Sequence, residues 1–247
     1  MRHMRRVCGS FVVSILLCVA GSAFAQGIPA PAAMTPGDLI DGDTFYVMFV
    51  TSTTHPGNLA TAADYDAAVN AAAQSSGFYG TDDSSLTGQW RAFIGHDDGT
   101  NRADVVGGAA PIYRIDGTRL ANNRADLLDN TIAATVSVTQ QGGAPGSVFV
   151  WTGMNATGAT SYGLGAIDQS RYGQSNFTDT TWLDGGGITP NGQNYHVYAV
   201  SPLLRVGAPA AAAQVTPVPV MSPWGAAALV AALAGVVGWR RRSATRS

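Results

Sequence analysis

The chain has 247 residues, 46% hydrophobic and only 12% charged, with arginine as its only strong base and aspartate as its only acid. Both cysteines, Cys8 and Cys18, lie near the N-terminus, so the remaining chain must fold without disulfides. Half of the 14 arginines lie in the two terminal segments, and seven arginines against 16 aspartates remain between them, a balance of −9. A segment this acidic argues against nucleic acid as a partner.

The N-terminus has the three parts of a secretory signal. Arginines precede an apolar run over residues 11–20, and Ala23-Phe24-Ala25 is an A-x-A cleavage site. We therefore predict that residues 1–25 form a signal helix that is removed on Sec export, with Ala23 and Ala25 at the cleavage site. Residues 26–39 are rich in Pro, Ala and Gly, which predicts a flexible leader.

One domain is predicted over residues 40–205. The apolar, β-rich run at 45–52 indicates a buried strand. Thr61 and Asp64 form a capping box before a helix that Gly77 should end. The apolar face of this helix is mostly alanine, so we expect it to pack closely on a sheet.

The rest of the domain is predicted to consist of short strands and one long loop. The predicted strands are 89–95, 112–115, 118–121, 132–138, 147–152 and 195–200. The Asp116-Gly117 pair predicts a two-residue hairpin turn between two of them. The Gly-rich, polar stretch 153–190 predicts a long loop region. One main helix, short strands and a long loop indicate an α+β fold.

The C-terminal segment is predicted to anchor the chain in a membrane. Residues 206–217 are rich in Ala and Pro and predict a linker. The 16 apolar or small residues at 224–239 predict a short transmembrane helix of about 24 Å, less than the roughly 30 Å of a bilayer core. Arginines and a tail at 243–247 follow, and the positive-inside rule places both terminal arginine clusters in the cytoplasm.

A motif surrounds the start of this apolar run. Its residues are Pro219, Met221, Ser222, Trp224, Gly225, Arg240, Arg241 and Arg242. With the apolar helix between them, residues 218–242 resemble the bacterial IPTL-CTERM sorting signal, although Met221 stands where the family usually has leucine. The resemblance implies processing by an exosortase-type membrane protease, after anchoring in the inner membrane of a Gram-negative envelope.

A second set of short motifs follows a fixed order along the domain. They are Phe49–Ser52, Gly57–Leu59, the alanine-rich helix, Trp90–Phe93, Tyr113, Asp116–Thr118, Leu120–Asn122, Val150–Gly153, Trp182 and Val197–Val200. This order resembles the bacterial extracellular domains of the C-type-lectin-like superfamily, on the endostatin-like side. The resemblance implies a helix packed on a sheet that contains the 45–52 and 195–200 strands. Such domains usually link helix and last strand by a disulfide; the corresponding positions are Val69 and Ala199, so we expect an apolar contact there.

We expect any ligand face to lie in the long loop, because loops on a fixed scaffold carry recognition. The candidate contact residues are Tyr162, Arg171, Tyr172, Asn176, Asp179, Trp182 and Asp184. Tryptophans at such positions are more often buried than free to stack on a sugar. We expect burial for Trp90, Trp151 and Trp182, and contact with a ligand is the alternative for Trp182.

Metal and catalytic signals are weak. His96–Asn101 gathers oxygen ligands of the kind calcium prefers, but it does not fit EF-hand spacing and is also typical of a solvated turn. Trp182-Leu183-Asp184 is similar to the Trp-Asn-Asp of sugar-binding C-type lectins, but Thr189-Pro190-Asn191 lacks the acid of the companion motif. The histidines His55, His96 and His196 accompany neither an H-E-x-x-H nor a G-x-S-x-G motif. We predict no cofactor.

The sequence thus favours an exported, non-enzymatic binding protein that works at the cell surface or in the extracellular matrix, with carbohydrate or another surface ligand as partner. The alternative is a structural matrix or surface-layer component without a defined ligand. A third hypothesis is an envelope hydrolase.

Overall fold

The computed structural model describes residues 27–76 and 84–207. The predicted signal peptide, most of the linker, the sorting signal and the transmembrane helix therefore lie outside the described residues. Within the described ranges, no helix is both long and apolar enough to cross a membrane.

The described residues form short strands with two α-helices, which confirms the α+β class. The strands are β1 (Ile28–Pro29), β2 (Thr44–Val50), β3 (His55–Pro56), β4 (Arg91–Ala92), β5 (Ile112–Arg114), β6 (Arg119–Ala121), β7 (Phe149–Trp151), β8 (Gln169–Gln174), β9 (Ile188–Pro190), β10 (Asn194–Val200) and β11 (Leu204–Arg205). The α-helices are α1 (Ala62–Gln74) and α2 (Arg124–Leu127), and short 3-10 helices occupy Ala32–Met34, Ser84–Leu86, Arg102–Val105 and Thr180–Trp182.

The two most apolar strands lie at the centre of the sheet. Its main order is β1-β11-β2-β10-β7-β8-β9, with β5 beside β2 and β4 beside β10. β2 and β10 are antiparallel, with Phe49 opposite Ala199, whereas β10 and β7 are parallel. The predicted strands at 45–52 and 195–200 therefore share one sheet.

Helix α1 begins and packs as its sequence predicts. The Asp64 carboxylate accepts hydrogen bonds from the backbone N–H and the hydroxyl of Thr61, both at 2.9 Å. The helix ends at Gln74, and its face with Tyr65 and Val69 lies in the same buried cluster as Phe49 of β2. Val69 and Ala199 are both fully buried in that cluster.

Polar side chains of α1 also bind the backbone beside β4. The Asn70 amide accepts from the Trp90 N–H at 3.0 Å and donates to the Trp90 carbonyl at 2.8 Å. The Asp66 carboxylate accepts from the Ala92 N–H at 2.9 Å and from Arg102 Nη2 at 2.8 Å. Burial raises the pKa of Asp66 in spite of these partners. The helix is thus held to the sheet by hydrogen bonds as well as by apolar contact.

The hairpin at Asp116-Gly117 forms, but its turn is one residue longer than predicted. Arg114 N–H donates to the Thr118 carbonyl at 2.7 Å, so three residues lie in the loop, and Gly117 has φ +84°. The reason lies in β2: the N–H of Ile115 donates to the carbonyl of Met48 at 3.0 Å, which keeps Ile115 on the sheet. A type I turn followed by a left-handed glycine is the usual three-residue solution.

Three other assignments were wrong or incomplete. Residues 132–138 form no strand. Their apolar side chains are buried, but their backbone makes only isolated hydrogen bonds to neighbouring segments and no strand ladder. The long loop 153–190 contains β8, β9 and a 3-10 helix. The predicted leader is part of the sheet from residue 28, since β1 pairs with β11, and Met34 is buried.

Candidate functional site

The long loop leaves the sheet at a crossing of two glycine backbones. Gly153 follows β7 with φ +60°, and a Cβ added there would lie 2.1 Å from the carbonyl oxygen of Gly95. Gly95 N–H donates to the Thr152 carbonyl at 2.8 Å, and Leu164 N–H donates to the Gly95 carbonyl at 2.9 Å. The start and the end of the 153–165 segment are therefore fixed to one point of the core.

Three of the seven predicted contact residues come together near this crossing, where the Gly153 N–H donates to the Arg171 carbonyl at 3.0 Å. We call Tyr162, Arg171 and Asp184 the polar cluster. The guanidinium carbon of Arg171 lies 5.6 Å from the centroid of the Tyr162 ring, which is 54% exposed. Arg171 Nη1 donates to Asp184 Oδ1 at 2.5 Å, and these two side chains are 17% and 16% exposed. The Arg171 N–H donates to the Tyr162 carbonyl at 3.0 Å, so both ring and backbone of Tyr162 contact this arginine.

The polar cluster has two local features that destabilise the fold. Tyr162 adopts φ +49°, in a region that disfavours a side chain, and such residues cost about 1–3 kcal/mol each and concentrate at functional sites. Arg171 Nε is buried and has no hydrogen-bond partner among the described residues. Leaving a buried donor unpaired costs about 1–3 kcal/mol. The surrounding fold therefore holds these side chains in place at the expense of stability.

The polar cluster also leaves hydrogen-bonding groups available. Asp184 Oδ1 accepts from Arg171 and from the Gly186 N–H at 3.1 Å, while Oδ2 has no partner among the described residues. Arg171 Nη2 likewise has none there. A donor and an acceptor beside an exposed aromatic ring match a ligand with adjacent hydroxyl groups and one apolar face.

The other four predicted residues do not join the polar cluster. Asn176 accepts from the Ser147 hydroxyl at 2.8 Å, and Asp179 caps the 3-10 helix at 180–182 by accepting from the Thr181 N–H at 2.9 Å. Trp182 is buried, with its ring centroid 6.0 Å from that of Phe93. Trp182 is thus a core residue, as Trp90 and Trp151 also are.

Tyr172, the last of the seven, belongs to a group of rings that sequence reasoning missed; we call Phe149, Tyr172 and Tyr195 the aromatic shelf. Phe149 is 44% exposed and its ring centroid lies 5.3 Å from Tyr172 and 5.2 Å from Tyr195. The buried Trp151 supports Tyr195 at 4.5 Å. The two-residue spacing of Phe149 and Trp151 places them on one face of β7 and was the available sequence signal.

The His96–Asn101 segment has a structural role. Buried His96 donates from Nε2 to the Leu59 carbonyl at 3.1 Å and accepts the Asp98 N–H at Nδ1 at 3.0 Å. The Asp98 carboxylate accepts from the N–H of Thr100 and from that of Ala62, the first residue of α1. Hydrogen bonding, most of all to Thr100, holds the pKa of Asp98 well below its usual range. These groups are committed to the loop and to α1.

His55 and His196 both contact the segment that joins β2 to β3. His196 Nδ1 donates to the Thr51 carbonyl at 2.6 Å, and His55 Nε2 lies 3.2 Å from Thr53 Oγ1. Burial and, secondarily, the nearby His196 lower the pKa of His55. Among the described residues, no three His, Cys, Asp or Glu side chains are grouped so that they could hold a metal ion.

Two open grooves of about 480 and 460 Å³ border the Gly107–Ala110 segment and the start of α2. Neither is lined by the polar cluster or the aromatic shelf. Comparison of the chain with models of known protein families and with curated proteins finds no match. The polar cluster and the aromatic shelf are therefore the surfaces on which a functional assignment rests.

Proposed function

We propose that this chain is an exported, non-enzymatic binding protein of the cell surface or extracellular matrix, and that the polar cluster is its ligand face. The observation that carries the proposal is the convergence of Tyr162, Arg171 and Asp184, with a strained backbone, an exposed ring and hydrogen-bonding groups that have no partner among the described residues. Strain retained beside unsatisfied groups is characteristic of binding sites rather than of a surface under selection for stability alone.

The domain is proposed to be C-type-lectin-like. Support comes from α1, which packs in one cluster with residues of β2 and β10, and from the burial of Trp90, Trp151 and Trp182. Val69 and Ala199 are buried in the same cluster where the family places a disulfide.

Delivery is proposed to use the two terminal signals. Residues 1–25 direct Sec export, and residues 218–242 hold the chain in the inner membrane until an exosortase-type protease acts on it. Mass spectrometry of the mature protein tests this step. We expect a C-terminus upstream of Arg240; an intact tail through Ser247 would contradict processing.

The proposed ligand is a hydroxyl-rich molecule, with a saccharide as the leading candidate. Arg171 Nη2 donates to one hydroxyl oxygen, Asp184 Oδ2 accepts from a neighbouring hydroxyl, and the sugar ring packs on Tyr162. Because the Arg171 guanidinium is already paired with the Asp184 carboxylate, the proposed recognition at this site needs no calcium ion.

A glycan array probed with the full chain tests the ligand class. Parallel arrays contain calcium or a chelator. We expect retention on a subset of glycans that is equal in both. Retention lost with the chelator would contradict the direct Arg171–Asp184 mechanism, and absence of retention on every glycan would contradict the ligand class.

A further inference from the structure

A third carboxylate lies beside the polar cluster. The N–H of Asp97 donates to the carbonyl of Leu164 at 2.8 Å, which places Asp97 next to the end of the 153–165 segment. A Cβ added to Gly163 would lie 2.6 Å from Asp97 Oδ1, so the carboxylate lies directly over that glycine. Gly163 follows Tyr162, and consecutive Cα atoms are about 3.8 Å apart. These contacts bring the Asp97 carboxylate to the edge of the polar cluster.

The Asp97 side chain is exposed, and its carboxylate has neither a hydrogen bond nor an ion pair among the described residues. The neighbouring Asp98 differs, because its carboxylate accepts from the N–H groups of Thr100 and Ala62. Asp98 therefore serves the fold, whereas the charge of Asp97 can pair with a charge that a ligand brings.

The backbone around Asp97 is fixed before any ligand arrives. The N–H of Leu164 donates to the carbonyl of Gly95 at 2.9 Å, and the buried Ser170 hydroxyl donates to the Gly163 carbonyl at 3.0 Å. Both segments that meet at Asp97 are thus tied to the core and to β8. A ligand that binds here loses little free energy to the ordering of the protein.

The charges that these contacts bring together favour a cation. The guanidinium of Arg171 is already paired with Asp184, and Asp97 adds a second carboxylate without an arginine of its own. The exposed ring of Tyr162 attracts an ammonium group through its negative face. The excess of aspartate over arginine in the exported segment acts in the same direction, since it attracts cations and repels acidic saccharides.

We infer that the polar cluster and Asp97 together bind an amino sugar that carries a free, protonated amine. The inference rests on the proposed function, because Arg171 and Asp184 bind two hydroxyl groups of the same sugar. The ammonium group donates to the Asp97 carboxylate beside the Tyr162 ring. N-acetylation of the sugar removes the positive charge and with it the interaction with Asp97.

Two oligosaccharides that differ only in N-acetylation test the inference. The probes are immobilised hexamers of β-linked glucosamine and of N-acetylglucosamine, offered to the full chain in detergent at about pH 6, where such an amine is protonated. Asp97→Asn keeps the shape of the side chain and removes its charge.

Asp41→Asn is the matched control. Asp41 is also exposed, has no partner for its carboxylate among the described residues and lies over a glycine, with Oδ1 3.0 Å from a Cβ added to Gly207. It lies beside β11, at the opposite end of the strand order from β8. Both variants change the net charge of the chain equally, so only their positions differ.

We expect the wild type and Asp41→Asn to bind the glucosamine hexamer more tightly than the acetylated hexamer. Asp97→Asn should bind the glucosamine hexamer about 5-fold more weakly, as expected for the loss of one partly exposed ion pair. Its affinity for the acetylated hexamer should stay that of the wild type. This unchanged affinity also shows that the variant is folded.

Equal affinity of the wild type for the two hexamers overturns the inference and leaves the proposed saccharide face intact. An unchanged preference in Asp97→Asn also overturns it, as does an equal loss in Asp41→Asn, since the net charge alone would then explain the preference. Equal binding of a lysine hexamer would show that the site selects charge and not a sugar, and the inference would again be wrong. Absence of binding to every saccharide contradicts the proposed function as well.

Discussion

Two ion pairs of similar burial lie in different parts of this domain and differ in what surrounds them. At α1, both oxygens of Asp66 are used, one by the Ala92 N–H and the other by Arg102. In the long loop, Asp184 uses only Oδ1, and its Oδ2 has no partner among the described residues. The arginines of the two pairs are alike, since each has a buried Nε without a partner there. An aspartate whose two oxygens both accept hydrogen bonds holds the fold together, whereas one with an oxygen left over can accept a hydrogen bond from a ligand.

The backbone shows the same contrast between the region of α1 and the long loop. Around α1, polar side chains bind the backbone directly, as Asn70 does at Trp90. In the loop, Tyr162 is held at a positive φ and several large apolar side chains are exposed. The helix region therefore supplies stability, and the loop region retains strain and exposure that recognition uses.

The largest expected effect is at the glycine crossing that connects the two regions. Gly153→Ala would force a Cβ to 2.1 Å from the Gly95 carbonyl oxygen at a positive φ, so we expect a loss of about 3–5 kcal/mol in unfolding free energy. Gly186→Ala is the control, since Gly186 has φ +76° but open space around it, and should lose only about 1 kcal/mol. Urea denaturation measures both. Equal losses would mean that the crossing is not a close contact.

A smaller loss is expected from the helix pair. Asp66→Ala leaves the Ala92 N–H and Arg102 without their acceptor, which should lower the unfolding free energy by about 3 kcal/mol. Asp104→Ala breaks the exposed pair with Arg124 and should cost less than about 1 kcal/mol. If urea denaturation gives the two variants the same stability, the Asp66 pair does not hold α1 to the sheet.

A substitution of Tyr162 should abolish recognition with little change in stability. Tyr162→Gly removes the strain of φ +49° and also the contact with Arg171, and these effects oppose each other. We expect thermal unfolding to change by less than about 1 kcal/mol, while glycan retention is lost. A large loss of stability would make Tyr162 a structural residue instead.

The smallest expected effect is the part of the stability loss at acid pH that is due to His55. The pKa of His55 in the fold lies below its unfolded value of about 6.5, so the unfolded chain binds protons more readily. The stability that this neutral histidine contributes is present above about pH 6.5 and is lost as the pH falls through the lowered pKa. Thermal melts from pH 7 to pH 5 should therefore show a steeper decline for the wild type than for His55→Asn. Identical slopes would contradict the lowered pKa.

The elements that local chemistry specifies were the ones that sequence predicted best. The capping box at Thr61 marked the start of α1, the continuous apolar run at 45–52 located β2, and the predicted strand at 195–200 located β10. The predicted strand at 132–138 was wrong because its apolar residues are buried without a strand partner. The predicted hairpin turn was one residue too short. The Ile115 N–H donates to the carbonyl of Met48, which lies in a strand far away in the sequence, and a local pattern cannot show this bond.

The sequence predicted the region of the chain that contains the candidate site, but not which of its residues come together. Tyr162, Arg171 and Asp184 were chosen because they lie in the loop, but their pairing depends on β8 and on the glycine crossing, which no local pattern reveals. Phe149 and Tyr195 were missed because they lie in strands. They meet only because β7 lies between β8 and β10 in the sheet, an order that sequence does not contain.

Substitution of two arginines of matched burial tests the central claim most directly. Arg171 pairs with Asp184 and Arg114 pairs with Asp116, and their side chains are 17% and 16% exposed. Glycan arrays probed with Arg171→Ala and Arg114→Ala, each first shown to be folded, compare them. We predict that Arg171→Ala loses retention while Arg114→Ala keeps the wild-type pattern. Equal retention by the two variants would contradict the polar cluster as the ligand face.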